Sequence, residues 1–541
     1  MQTELDLKST GSAGTGTSHP HRLERTAVSL LFLMLALAGL GQAAGKQFGY
    51  DELVTLRIAS LPSFHDIYQF FASGKDTTGY LCAVVVHAAR RLHGRPEITT
   101  RLAFELAYLL TCECIYRFIR ARYAAGFALA GTAAFGIAYV FYFASEIRPY
   151  AFALLGAGVG VYCWQRANRT PRHRSLAIFG LFAGLSMAIL FHFFAVFLVA
   201  PFALAQWVEE RTARRRRPAI WLAILLYPAS VLLLAPSLLA SHRVYGGTFW
   251  SRPSYTNLMD IYIQYMDLPS KSLPAALAVL AIAIWMHRTG RLGRLEAFLV
   301  RERGGSSGYS SGEWTLVFGL AFFPVVAFFG SFALGAYRWS YVLPFHIGMA
   351  LLVAGLLAEV TRRSTRAGWA LGLGMCLLLL AQKKSLLMQG TRVLIHRPAA
   401  PYPAEANQGW YELVRSSPLP LISDGPDPLV RLEHYAPPDI GRRAIYLTSR
   451  ERALRVPSSV TNELNMEYFN PALHYNVEDY DTFIRSHHDF LLLTKPAQLI
   501  HTWLFYTLLQ QAKTDARIHI ELAWGERPLD TTEQIYRVHV E

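Results

Sequence analysis

The sequence predicts a polytopic α-helical membrane protein with a small C-terminal α/β domain outside the cytoplasm. Three observations lead there. Of the 541 residues, 52% are hydrophobic and only 17% are charged, with a mean hydropathy of +0.24; soluble domains carry roughly 25% charged residues. Apolar runs long enough to cross about 30 Å of hydrocarbon recur from residue 26 onward, separated by arginine clusters. Near residue 387 the texture changes to short β-rich runs alternating with helical ones.

The net charge of +14 is compatible with nucleic-acid binding, but its distribution argues against that partner. Residues 1–386 carry +18 and residues 387–541 carry −4. The excess lies in short clusters between apolar runs, as in cytoplasmic loops. The five cysteines, Cys82, Cys112, Cys114, Cys163 and Cys376, all lie in or beside apolar segments. Their spacing supports neither a disulfide framework nor a metal knot.

Taken in order, residues 1–24 are Gly/Ser/Thr-rich and read as a disordered cytoplasmic tail. A transmembrane domain follows over 25–386. Its spans are expected near 26–45, 101–119, 123–143, 149–166, 175–190, 193–208, 219–240, 272–287, 314–334, 339–360 and 367–386, eleven in all. Arginines at 117–122, 166–174, 211–217, 288–303 and 362–366 assign five loops to the cytoplasm. The run 79–92 is too short to span and ends in Arg90-Arg91; a span there would also put Arg117–Arg122 outside. It is therefore an interfacial helix within a first outer loop, 46–100. The amino terminus lies inside and the carboxyl terminus outside. HRLER followed by an apolar stretch also fits a signal peptide, whose cleavage leaves the later topology unchanged. The tail, 387–541, offers strands at 418–424, 443–449, 489–495, 516–522 and 534–540 and helices at 404–415, 427–435 and 496–512.

The candidate chemistry gathers on the outer face. Asp51 and Glu52 follow the first span, where adjacent carboxylates are costly unless solvated or used; the plainer reading is a helix-start cap. Lys75, Asp76 and Tyr80 form a polar turn leading into the interfacial helix. Glu146, Arg148 and Tyr150 flank Pro149 at the mouth of another helix. His192 and Arg243 lie at further outer boundaries, and Arg338 is an arginine on the wrong side for the topology, best explained by an anionic partner. Glu105 and Glu113, inside a span, face the bundle or pair with arginine. Singly each is structural; together they provide what transfer from a lipid phosphate requires. A cationic clamp would stabilise the departing phosphate, and a carboxylate would take the proton from the incoming hydroxyl.

Tyr50-Asp51-Glu52, the Lys75–Tyr80 turn, Arg101-Leu102, Glu146-Ile147-Arg148-Pro149-Tyr150, Phe191-His192-Phe193 and Arg338 with Pro344, in this order, resemble the GT-C superfamily of membrane glycosyltransferases. The similar branch is that of the protein O-mannosyltransferase-like and aminoarabinose-transferase-like enzymes, over residues 25–386. The resemblance implies a GT-C-like bundle in a bacterial cytoplasmic membrane. It further implies sugar transfer from a polyprenyl-phosphate donor to a lipid, glycan or protein acceptor on the outer face. Asp51 would be the base with Glu52 beside it, and Glu146 and Arg148 would support the site. Read from the residues themselves, Arg148 and Arg338, with Lys75 or Arg243, would hold the donor phosphate while the sugar transfers in an inverting single displacement. No cofactor is required, although Asp51 and Glu52 together could ligate a divalent cation. The family's His-Pro-Pro-Leu-Tyr is replaced here by Thr77-Thr78-Gly79-Tyr80, and its Arg-Tyr by Arg338-Trp339. The rival readings are a transporter or flippase for a lipid-linked or anionic solute, and a membrane-anchored scaffold. Transporters place polar residues at mid-membrane in paired halves, a pattern the sequence lacks.

Overall fold

The computed structural model describes residues 19–541 except 77–78, 246–250, 264–306, 397–408, 457–458, 496–501 and 526–532. Helix α1 (His19–Gly45) begins inside the segment read as a tail. Three short helices follow: α2 (Tyr50–Ile58), α3 (Phe64–Ala72) and α4 (Tyr80–Ala89). Ser63 fixes the start of α3 by a reciprocal cap: its hydroxyl accepts from the Asp66 N–H at 3.2 Å, and Asp66 accepts from the Ser63 N–H at 3.1 Å. With ten residues, α4 is about 15 Å long and cannot cross a bilayer.

The bundle continues through α5 (Leu102–Arg120), α6 (Ala125–Ile137), α7 (Tyr150–Arg169), α8 (Arg174–Phe191), α9 (Val199–Ala213), α10 (Pro218–Leu226), α11 (Ala235–Tyr245), α12 (Ser311–Ala321), α13 (Phe323–Leu334), α14 (Pro344–Val360) and α15 (Thr365–His396). Ten of the eleven expected spans fall on helices; the eleventh, 272–287, lies outside the described residues. Among the described residues, five helices are long and apolar enough to cross a membrane, or seven if each bent pair counts as one span. The bends are 73° after α6, where Tyr139–Ser145 turns as a 3₁₀ segment, and 55° between α12 and α13. Glu105 packs against Gly39 of α1, and Glu113 pairs with Arg117 at 2.6 Å.

Helices α1 and α15 cross closely. A Cβ on Gly41 would lie 1.9 Å from the Leu386 carbonyl oxygen, and one on Gly390 would lie 2.0 Å from that of Leu37. Only glycine permits this approach, as at small-residue helix crossings in bilayers.

Helix α5 orients the molecule. Arg101, at its start, meets Glu52, and Arg120, at its end, meets Glu24 at 2.8 Å. Nineteen helical residues separate them by roughly 28 Å. Arg122 pairs with Glu313 at 2.6 Å and Arg363 with Glu359 at 3.1 Å, so these basic residues gather with Arg120 at the end away from Asp51, while the cluster at 288–303 lies outside the described residues.

Beyond the bundle come α16 (Trp410–Ser416), β1 (Leu421–Ser423), α17 (Pro426–Tyr435), β2 (Ala444–Thr448), α18 (Thr461–Leu473), β3 (Val477–Asp479), α19 (Tyr480–Ser486), β4 (Asp489–Thr494), α20 (Leu504–Gln511), β5 (Ile518–Trp524) and β6 (Gln534–Val540). The sheet order is β3-β2-β1-β4-β6-β5, parallel through β4 and antiparallel thereafter. All five expected strands are present. Strand β3 and helices α18 and α19 are not among the expected elements: β3 carries Glu478 and Asp479 beside its one apolar residue, Pro471 interrupts the helical pattern of α18, and α19 is only seven residues long.

The sheet domain shares an apolar core with the first-loop helices: Phe48, Leu53, Ile58 and Phe70 pack with Leu429 and Phe469. Polar ties reinforce it. Tyr435 accepts from the Phe48 N–H at 2.8 Å, Arg57 donates to the Leu473 carbonyl at 2.9 Å, and Arg431 donates to Gln47 at 2.7 Å.

Candidate active site

Asp51 and Glu52 share the first turn of α2, yet their surroundings are opposite. Successive helical residues point about 100° apart, so one faces inward and one outward. The Glu52 side chain is buried at 2% exposure and accepts from Arg101 Nε at 3.0 Å and Nη2 at 2.8 Å. It also accepts from the Gly49 N–H and the Ile147 N–H, each at 3.0 Å. Arg101, wholly buried, donates further to the carbonyls of Ala43, Lys46 and Gln47 and lies 4.6 Å from the Phe48 ring. Glu52 was expected beside Asp51 as a catalytic carboxylate or metal partner. In the structure its two oxygens accept from four donors, which ties the end of α1, the start of α2 and the 146–150 turn together. The plain capping reading holds for Glu52.

Asp51 faces outward with a half-exposed side chain, and Arg148 Nη2 stands 3.6 Å from its Oδ2. That distance is an ion contact and not a hydrogen bond, and among the described residues neither carboxylate oxygen accepts a hydrogen bond. Arg148 itself is mostly buried, and its Nε has no hydrogen-bond partner among the described residues. Burial alone would depress the guanidinium. Asp51, Tyr150 and Asp76 outweigh that and hold it well above its ordinary value, so it stays cationic.

Glu146 is reached by Lys46 Nζ at 2.9 Å. Burial raises its carboxyl, with Glu52 adding and Lys46 opposing. Lys46 also donates to Tyr142 at 2.8 Å and lies 3.8 Å from Glu52. The 146–150 turn is locked to the 338–342 segment by Tyr150, whose hydroxyl donates to Ser340 at 3.1 Å. Trp339 packs on Tyr139 and Phe143 at 5.1 and 5.3 Å, which positions neighbouring Arg338, 5.9 Å from the Trp339 ring. His192, between α8 and the Phe193–Leu198 3₁₀ segment, stacks near Tyr341 at 4.9 Å and Tyr150 at 5.6 Å. Its Nδ1 is buried without a partner among the described residues. Tyr341 lies within electrostatic range of Asp51, Arg148 and Arg338.

The 73–80 turn completes the wall. Gly79 abuts the carbonyls of Leu190 and Phe191, where a Cβ would sit 2.7 and 3.0 Å away; this is the departure from the family pattern, while Thr77 and Thr78 lie outside the described residues. Asp76 is near Arg148 and Tyr50. The Lys75 carbonyl accepts from Tyr245 at 2.8 Å, its ammonium lies 5.4 Å from the Phe70 ring, and Tyr80 packs edge-on to Tyr68 at 5.6 Å. Arg243 is exposed on α11, and among the described residues no hydrogen bond or ion pair joins it to Asp51 or Arg148. The structure thus brings Asp51, Asp76, Glu146, Arg148, Tyr150, His192 and Arg338 to one end of the bundle; Arg243 lies at that end too, on the helix whose Tyr245 meets the Lys75 carbonyl, without reaching Asp51 or Arg148. Lys46, Arg101 and Tyr341 were missed as contributors. The signal for Lys46 was a lone cation ending the first apolar run.

Among the described residues no three His, Cys, Asp or Glu side chains group as a metal site would require. The cluster can bind a polyanion through Arg148 and Arg338 and offer one solvent-facing carboxylate beside it.

No protein-family model matches the chain, and no curated protein does. Among solved structures, ArnT from Cupriavidus metallidurans in the apo state is similar with a TM-score of 0.50 at 13% identity, over 95% of this chain and 98% of that one. The same protein bound to undecaprenyl phosphate gives 0.49 at 12% identity, over 96% and 98%. At such identity the likeness is one of fold, and it runs nearly end to end, sheet domain included. The chain therefore has a fold like that of ArnT.

Proposed function

We propose that the protein is an integral-membrane glycosyltransferase that moves a sugar from a polyprenyl-phosphate donor to an acceptor hydroxyl on the outer face of a bacterial cytoplasmic membrane. One observation carries the reading: Asp51, half-exposed and with neither carboxylate oxygen accepting a hydrogen bond among the described residues, faces the buried cation Arg148 at 3.6 Å at the end of the bundle away from Arg120 and Arg122. Arg148 and Arg338 take the phosphate, where a planar guanidinium matches its oxygens. Asp51 accepts the hydroxyl proton as the acceptor oxygen attacks the anomeric carbon and the polyprenyl phosphate departs with its electron pair. One displacement inverts the anomeric centre. Lys46 and Glu146 hold the turn bearing Arg148, and Glu52 holds Asp51 through the backbone of α2. The chemistry demands no metal, and we assign none.

The test follows release of polyprenyl phosphate from a panel of polyprenyl-phosphate sugars by purified protein in nanodiscs, with envelope acceptors present. Wild type should release it and Asp51→Asn should lose at least a hundredfold in rate with its fold intact, in line with the usual worth of a general base. Full activity in Asp51→Asn sinks the base assignment. No release with any donor from folded wild type sinks the glycosyltransferase reading in favour of transport.

A further inference from the structure

The sheet domain contains a cavity where α/β sheets bind ligands. Chain order reverses about β1: the connection after β1 leads to β2 on one side, while β4 pairs on the other. Crevices outside the carboxyl ends of such strands are ligand sites in open α/β sheets. Here a cavity of about 180 Å³ occupies that position, lined by Asp424, Gly425, Asp427, Asn462, Lys495 and Tyr50. Its volume far exceeds the ~10–15 Å³ that one water needs. The last of these residues belongs to α2, directly before Asp51, so the crevice lies between the sheet and the candidate catalytic turn.

The lining says what fits. Helix α17 opens with Pro426, which has no N–H to offer, followed by Asp427. An anion at this helix start would meet a carboxylate and one fewer donor, unlike a phosphate site. Asp427 accepts, Lys495 donates, Asn462 does both, and Tyr50 presents a ring whose buried hydroxyl has no partner among the described residues. Such a mixture suits a neutral, hydroxyl-rich ring. Asp427 senses both ends of the arrangement: burial raises its carboxyl, Asp51 adds to that, and Arg431 and Lys495 oppose it. Asp51 and the cavity are therefore within electrostatic range.

We propose that this cavity is the acceptor subsite and takes a neutral sugar unit of the acceptor, seating one of its hydroxyls toward Asp51. The proposal rests on the glycosyltransferase reading. The hydroxyl proton passes to Asp51, the hydroxyl oxygen bonds to the donor's anomeric carbon, and the bond from that carbon to phosphate oxygen breaks. The acceptor therefore carries a glycan, and the sheet domain selects it.

Saturation-transfer NMR on full-length protein in nanodiscs, with a panel of methyl glycosides and sugar phosphates and no donor, tests the cavity independently of transfer. At least one neutral glycoside should bind. Asn462→Ala/Lys495→Met should weaken that binding at least tenfold with an unchanged melting temperature. In the presence of donor, the same variant should raise the acceptor KM while leaving acceptor-independent release of polyprenyl phosphate at wild-type level. No glycoside binding, binding untouched by the double variant, or preference for sugar phosphates would overturn the proposal. Glycoside binding lost in the variant, with no donor processed by wild type, would retain the sugar site and condemn only the transfer reading.

Discussion

Removing the Glu52 carboxylate should destabilise the fold strongly, whereas removing its neighbour's should not. In Glu52→Ala the Arg101 guanidinium, wholly buried, loses the one carboxylate it has among the described residues, and the N–H groups of Gly49 and Ile147 lose their acceptor. Breaking one side of a buried ion pair costs about 3–5 kcal/mol, because the remaining charge stays buried. Each orphaned N–H would add about 1–3 kcal/mol if nothing relaxed. Taking about 4 kcal/mol, and roughly 2 °C per kcal/mol for a large chain, the melting temperature should fall by about 8 °C. Asp51→Asn removes a half-exposed charge at 3.6 Å from Arg148, worth less than about 1 kcal/mol of stability. The assay is thermal unfolding in detergent, followed by retention of the monodisperse peak after heating. Replacing the pair by apolar residues, Glu52→Leu with Arg101→Met, should not restore wild-type stability. In contrast with simple buried pairs, three carbonyls and two N–H groups also depend on this one. A Glu52→Ala protein melting within about 2 °C of wild type would refute the anchoring role.

Three further outcomes are expected. Gly41→Leu should prevent α1 from seating on α15, since its Cβ would lie 1.9 Å from the Leu386 carbonyl oxygen; folded yield after size-exclusion chromatography reports this, and a normal yield contradicts the crossing. Asp424, buried and hydrogen-bonded to Thr494, Thr502 and the Phe505 N–H, has its carboxyl pushed up from 3.8 to about 6, mainly by burial. A carboxyl raised on folding stabilises the fold while protonated, below the unfolded value, and that stability is lost as pH rises through about 6. The loss reaches about 3 kcal/mol, so Asp424→Asn should melt higher than wild type at pH 7.5 and equally at pH 4; parallel melting curves at both would dismiss it. Arg148→Lys keeps the charge but not the planar fork, and should lower the rate of polyprenyl phosphate release about tenfold or more with little change in melting temperature; an unchanged rate removes Arg148 from the phosphate clamp.

Much of this molecule follows from sequence because its rules are one-dimensional. Membrane helices announce themselves by length and apolarity, and arginine placement sorts their ends, so ten expected spans fall on helices and the basic residues Arg120, Arg122 and Arg363 lie at the end away from Asp51. Strands that lie in apolar runs are seen, even the three-residue β1 with Leu421 and Ile422; β3, Val477-Glu478-Asp479, carries one apolar residue and is not. Which of two adjacent carboxylates is available for chemistry was not legible. Asp51 and Glu52 have the same charge and position in the chain, and only the placement of Arg101, 49 residues on, and of the Ile147 N–H decides that Glu52 is consumed. The same holds for the sheet domain. Its strands are local, but its contact with α2 and α3 depends on Arg57 reaching Leu473 and Phe70 meeting Phe469 at 5.7 Å, pairings across some 400 residues. Sequence sets which segments are apolar, charged or extended; burial and charge pairing between distant segments arise only when the chain closes on itself, and those decide which groups remain free to act.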